Sequence, residues 1–397
     1  MTNKKYKQIK FYANRPNRGA TGGPGGVLYL QKNIIGNNFD NINLKYNFAK
    51  NTRFWRKHKF LYAFFKIIFN ELFDFNSYYI VNDIESAYIL SFLHKSYSLV
   101  YHQQGPIVEE KNNFGKKLSN IEKSFLHFIE KYAFINAQSV HFPSKGAQEM
   151  YFSSLYRSCD NSQVFVGDVL PNTIENNVID IKKDDNVLTF LSVGTLTNAK
   201  GQDQTILFLE ELLKQYNNKI RYIMIGKGPN KDILIDKLNL LNKKYNNFNY
   251  IYKEQASHDE ILRLNDISDI YIMLHRISIF DLATLEAMSN SCAVILSKIG
   301  GNVDFNVKNN IIFIENNDYK KAVLQLLNSD INSLKQLNKY VFNNYFSENC
   351  FGENYKKFIS SVLNNNSKSL VTVERERERE RVISLIDFKL RNLYKIA

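Results

Sequence analysis

Cysteine is nearly absent: Cys159, Cys292 and Cys350 are the only three in 397 residues, far apart and odd in number. That argues against a disulfide framework and against a structural zinc site as the basis of the fold. No run of about 20 apolar residues occurs, so nothing in the sequence reads as a membrane-spanning helix. The opening MTNKKYKQIKFYANRP alternates Lys with polar residues and lacks the apolar core of a secretory leader, and a cytoplasmic protein is expected. Acid is missing from one long stretch. KYNFAKNTRFWRKHKFLYAFFKIIF, residues 45–69, carries Lys45, Lys50, Arg53, Arg56, Lys57, Lys59 and Lys66 and meets no carboxylate before Glu71.

What is present is basic and aromatic. The net charge is +13, and residues 1–175 hold 22 Lys/Arg against 13 Asp/Glu, so most of the excess lies in the first half. Phe54, Trp55, Phe60, Tyr62, Phe64 and Phe65 interleave with the cations of residues 45–66. Such a segment either lies in the headgroup zone of an anionic membrane or is a core helix with a solvated basic face. No nucleic-acid motif accompanies it, and no nucleic acid is expected as a partner.

The length exceeds what one core usually organises, and 44% hydrophobic content suits a globular chain of two domains. Short apolar runs alternate with helical patterns, the signature of βαβ units with parallel sheets. The first series of strands is QIKFYA (8–13), NLKYNFAK (43–50), SYYIVN (77–82), SYSLVYH (96–102), SVHFP (139–143) and VFVGDVLP (164–171). The second is VLTFLSVG (187–194), RYIMIG (221–226), FNYIYK (248–253), DIYIML (269–274) and CAVILS (292–297), with IIFIEN and further helical stretches after Asn309. Between the series lies the polar TIENNVIDIKKDDN, 173–186. The expected division is 1–175 for the first domain, 176–345 for the second, 346–363 for a helix packing back on the first, and 364–397 for a linker and tail. The tail contains ERERERER (374–381), whose charges suit neither helix nor strand packing. It is expected to be poorly ordered, and a GAGAGA tract would encode it.

Four loops carry the candidate chemistry. RGATGGPGGVLYL (18–30) places Gly22, Gly23, Gly25 and Gly26 between a strand and a helix, where backbone can approach an anion or simply turn tightly. It lacks the spacing and the strand-end acid of a nicotinamide-dinucleotide site. SVGTLTNAKGQD (192–203) sets Gly194, Thr195 and Lys200 after the first strand of the second domain. Lys200 there either stabilises negative charge in the crevice at the strand ends or is a surface Lys at a helix start. MIGKGPN (224–230) contributes Gly226 as a pocket wall. HRISIFDLATLEAM (275–288) holds Glu286, an acid inside an apolar run that needs a partner to justify its burial.

In order and spacing these loops resemble a retaining glycosyltransferase of the GT-B fold, of the family 4 type, most firmly from Val187 to Asp304, with VLPNTIE (169–175) similar to that family's junction turn. The resemblance implies an α/β protein with two Rossmann-like doubly wound domains facing a cleft, a C-terminal helical crossover and a tail. It implies a nucleotide-sugar donor held by the second domain, a glycan or lipid-linked acceptor, and neither cofactor nor metal. Glu286 then takes the ribose hydroxyls, Lys200 the diphosphate, and His102 a position against the sugar, or else His102 is satisfied within a strand-end turn. Asp83-Ile-Glu85, the nearest approach to a metal-binding acid pair, fits the family's short turn.

Two positions depart from the family. Thr195 stands where members often have an Arg, leaving Lys227 and Arg276 as substitutes for that charge. Ser278 stands where they usually carry a second Glu, with Asp281 in place of a small residue and Leu282 following it. Ser278 and Asp281 either take over contacts to the sugar or form a capping box at the helix start, and the box is the favoured reading. The departures speak for one rival, a degenerate nucleotide-binding scaffold, and a nucleotide-sugar epimerase of the same fold is a second.

Overall fold

The structure is a computed structural model, and it describes residues 6–17, 24–113, 115–175 and 186–364. Gly22, Gly23, most of the polar junction and the Glu-Arg tail lie outside the described residues.

Among the described residues twelve strands form two sheets: β1 Gln8–Ala13, β2 Asn38–Phe39, β3 Ile42–Phe48, β4 Ser77–Val81, β5 Tyr97–Val100, β6 Ser139–His141, β7 Val187–Val193, β8 Lys219–Ile225, β9 Phe248–Lys253, β10 Ile270–Met273, β11 Ala293–Ser297 and β12 Ile311–Ile314. The first sheet runs β2-β3-β1-β4-β5-β6 and the second β12-β11-β10-β7-β8-β9. All neighbours are parallel except β2 and β3, joined by a tight turn through Asp40 and Asn41 at positive φ. Helices on both faces explain why β4, β10 and β11 are apolar and buried throughout.

One expected strand is not there. VFVGDVLP follows the edge of β6 through Val140 N–Phe165 O and Gly167 N–Val140 O hydrogen bonds but makes only an isolated bridge, Val140 to Val166. Gly167 lies against the His141 ring, where a side-chain carbon would come within 2.2 Å.

Glu71, the first acid after the basic stretch, is buried beneath the first sheet. It lies 2.6 Å from Lys10 Nζ and accepts from the hydroxyls of Tyr12 and Tyr79, while Asp74 holds the same ammonium at 2.5 Å. A buried Lys on β1 is thereby paired and satisfied.

The helix Glu348–Asn364 buries Phe351, Tyr355, Phe358 and Ile359 against Ile9, Phe11 and Ile80 of the first domain. The domains also touch directly. Ser144 Oγ donates to Ile279 O at 2.6 Å, and Asp304 accepts from Lys145 N and Gly146 N at the start of the helix Lys145–Ser153. Gly146 permits this approach, since a side-chain carbon there would fall within 2 Å of Gly300 O in the opposite domain, and one at Gly301 would crowd Ser144 Oγ at 2.8 Å.

Candidate active site

In a parallel doubly wound sheet the loops after the strands meet in a crevice at the carboxyl edge. Here that crevice gathers the ends of β7, β8 and β10. Gly226, at φ 145°, lets the loop after β8 press onto the carbonyl of Gly194 after β7. Gly201, at φ 69°, does the same against Leu274 O, and Arg276 N donates to Ala199 O at 2.8 Å. The turn carrying Lys200 is thus clamped to the end of β10.

The Lys200 side chain runs along Gly194 and ends 2.8 Å from Asp281 Oδ1 and 3.2 Å from His275 Nε2. Asp281 Oδ2 accepts from Tyr271 OH, Thr284 N and Thr284 Oγ1. Burial alone would raise the Asp281 carboxyl, but Lys200 and then His275 outweigh it and hold it well below the usual range. Burial, reinforced by Lys200, lowers His275 and keeps its imidazole neutral near pH 7.

Asp281 is the N-cap of the helix Leu282–Ser289, with its partner at Thr284. The expected Ser278–Asp281 capping box is therefore corrected: the helix starts at Leu282, four residues beyond Ser278, too far along for a Ser278 cap. Ser278 Oγ is buried with no hydrogen-bond partner among the described residues.

Glu286 lies one turn further along the same helix, buried, with Oε1 3.9 Å from His258 Nδ1. Burial, with Asp281 adding repulsion, pushes its carboxyl up to about 7. His258 opens the helix His258–Asp266, and its Nε2 is buried without a partner.

The remaining expected residues are more scattered. Thr195 is exposed, and its carbonyl accepts from Gln202 Nε2. Of its two suggested substitutes, Arg276 is held by Asp203 in a two-pronged pair at 2.8 and 2.7 Å, whereas Lys227 is exposed on a loop whose carbonyl binds Leu196 N. Gly25 and Gly26 form the first turn of the helix Pro24–Ile35. His102 belongs to the other sheet, beyond the end of β5, in a small cavity with Arg15, Asn82 and Gln103. Neither of its ring nitrogens has a partner among the described residues, and burial, with Arg15 nearby, lowers it to about 4. Asp83 accepts from Asn14 N and Ser86 N and caps the helix Ile84–Phe92.

Residues 173–344 match the family described as glycosyl transferases group 1. The fold is GT-B. Among solved GT-B structures, sucrose-phosphate synthase of Thermosynechococcus elongatus is 13% identical, covers 90% of this chain and 99% of its own, and has a TM-score of 0.62. HepE of Anabaena in complex with UDP is 14% identical, covers 89% and 100%, and has a TM-score of 0.61. A trehalose-6-phosphate structure from E. coli bound with UDP-2-fluoro glucose is 14% identical, covers 90% and 99%, and has a TM-score of 0.64. A comparison with curated protein sequences finds no match.

His275, Tyr271 and His258 were missed by the sequence reading. His275 and Tyr271 flank the strand end before the Glu286 motif, a detectable signal. His258 follows an ordinary capping Ser, and only tertiary packing brings it to Glu286.

Proposed function

We propose that this chain is a retaining glycosyltransferase of the family 4 type, moving a hexosyl group from a nucleotide-sugar donor to a surface polysaccharide or lipid-linked glycan. Residues 1–175 would receive the acceptor and 176–345 the donor, with the protein acting in the cytoplasm at the inner face of the cell membrane. The observation that carries this reading is the Lys200–Asp281–His275 cluster at the strand ends of the domain that matches the family, with Glu286 on the helix the cluster caps.

Lys200 supplies the positive charge that opposes the charge developing on a leaving diphosphate, so no metal is required. A helix leaves its first N–H groups without internal partners. Asp281 takes that of Thr284, which leaves Leu282 and Ala283 to face an anion. Glu286 accepts from the ribose hydroxyls, and His102 approaches the sugar from the opposite domain. Transfer then rests on positioning and charge stabilisation.

The test is donor turnover across a panel of nucleotide sugars, uridine donors first, with lipid-linked and oligosaccharide acceptors. Sugar transfer with retained anomeric configuration is the expected result. Binding of a nucleoside diphosphate without turnover of any donor would favour the scaffold, and release of an altered free sugar would favour the epimerase.

A further inference from the structure

The helices Arg53–Lys57, Lys59–Glu71, Ile84–Phe92 and Asn120–Ile135 form one layer over the first sheet. Their outer side is unusual for a soluble surface. Phe69 is 82% exposed, Phe73 84% and Ile121 83%, with Phe65, Phe92 and Phe125 also exposed. Apolar groups of this size and number on one face mark an interaction surface.

The sequence located an apolar and basic segment at residues 45–66, and the structure relocates the surface. Trp55 is buried, and Tyr62 and Phe64 are half-buried, whereas the most exposed rings come from beyond the segment.

Cations border this face. Arg53, Arg56, Lys57 and Lys59 are exposed at one helix start, and Lys116 and Lys117 are exposed before another. Phe60 meets Phe125 at 6.1 Å between ring centroids, which brings those two helix starts together. The only acid of residues 53–71, Glu71, points inward to Lys10. Trp55 Nε1 donates to Asn14 O at 3.1 Å, tying the cationic end to the chain just beyond β1, on the carboxyl side of the sheet.

We propose that this face docks on an anionic lipid bilayer, its Phe and Ile side chains entering the boundary between headgroups and acyl chains while the cations meet lipid phosphates. Charge selects the occupant. A second copy would set one cationic border against another, whereas an anionic bilayer complements it. Docking in this orientation lays the first sheet along the membrane, with the cationic helix starts at the end tied to the carboxyl side of β1. The proposal rests on the acceptor half of the functional reading and is independent of the donor chemistry.

Sedimentation of the full chain with phosphatidylcholine vesicles, with and without phosphatidylglycerol, tests it. Binding to the anionic vesicles should exceed binding to the neutral ones by tenfold or more and should fall as salt is raised. Phe69→Ser with Ile121→Ser, and separately Arg56→Gln with Lys57→Gln, should each weaken anionic binding about tenfold while leaving Tm and donor hydrolysis in solution unchanged. Absent or equal binding to both vesicles would overturn the proposal. So would a concentration-dependent dimer abolished by the Phe69 and Ile121 substitutions, which would identify a second copy as the occupant. Lost donor hydrolysis in the unaltered chain would instead count against the transferase reading and leave the vesicle result standing.

Discussion

Lys200 Nζ lies 2.8 Å from Asp281 Oδ1, so the cation at the strand ends has a carboxylate partner before any phosphate arrives. A bound diphosphate would have to share Lys200 with Asp281, and the negative charge of Asp281 opposes it. Asp281→Asn keeps a good N-cap and removes that charge. Nucleoside diphosphate affinity should then rise, up to roughly tenfold, while donor turnover falls at least as much because the sugar side loses its acid. Calorimetry and turnover on the same variant check this, and weaker diphosphate binding would show that Asp281 does not compete for Lys200.

Lys200→Ala should lower kcat by roughly 10²-fold, the scale seen when one preorganised charge-stabilising group is lost. It should also destabilise the fold, by less than about 3 kcal/mol because Lys200 retains some solvent access, since Asp281 stays buried without its cation. Adding Asp281→Asn should restore stability and leave turnover low. A change in kcat under about threefold in a folded variant would remove Lys200 from the chemistry.

Glu286 predicts a pH dependence with a definite sign. Burial pushes its carboxyl from the ordinary 4.5 up to about 7 in the folded chain. The folded protein therefore holds that proton more tightly than the unfolded one, and the group's contribution declines as pH rises through about 7. Glu286→Gln should be more stable than the parent near pH 8, with the difference closing towards pH 5, as read by chemical denaturation at about those two values. If Glu286 takes the ribose hydroxyls as proposed, its ionised carboxylate is the stronger acceptor. Nucleotide affinity of the parent should accordingly rise through pH 7, whereas the variant should bind roughly ten- to a hundredfold more weakly at about pH 8 and show no such rise.

Ser278→Ala should leave Tm unchanged or slightly higher, because its buried hydroxyl has no partner to lose. If that hydroxyl awaits the transferred sugar, donor affinity should fall by about three- to tenfold while nucleoside diphosphate affinity stays constant. A loss of about 1 kcal/mol in stability would restore the capping role.

The sequence by itself determined the two parallel sheets and the order of their loops. Apolar runs such as VLTFLSV and AVILS can satisfy strand burial only between helix layers, and that pattern is local. It also exposed Lys200 and Glu286, since a cation at a helix start and an acid in an apolar run both violate local expectation. Whether Asp281 capped the helix with Ser278 or alone depended on where the helix begins, a boundary that the spacing leaves ambiguous. Likewise, VFVGDVLP had a strand's composition, but in the fold it makes only an isolated bridge to β6. Tertiary structure alone decided the partners: residues 75 apart for Lys200 and His275, 81 apart for Lys200 and Asp281, and His258 for Glu286. Side-chain electrostatics act over a few ångströms in space, and no periodicity in the chain encodes which distant residues the crossing of β7, β8 and β10 will bring within that reach.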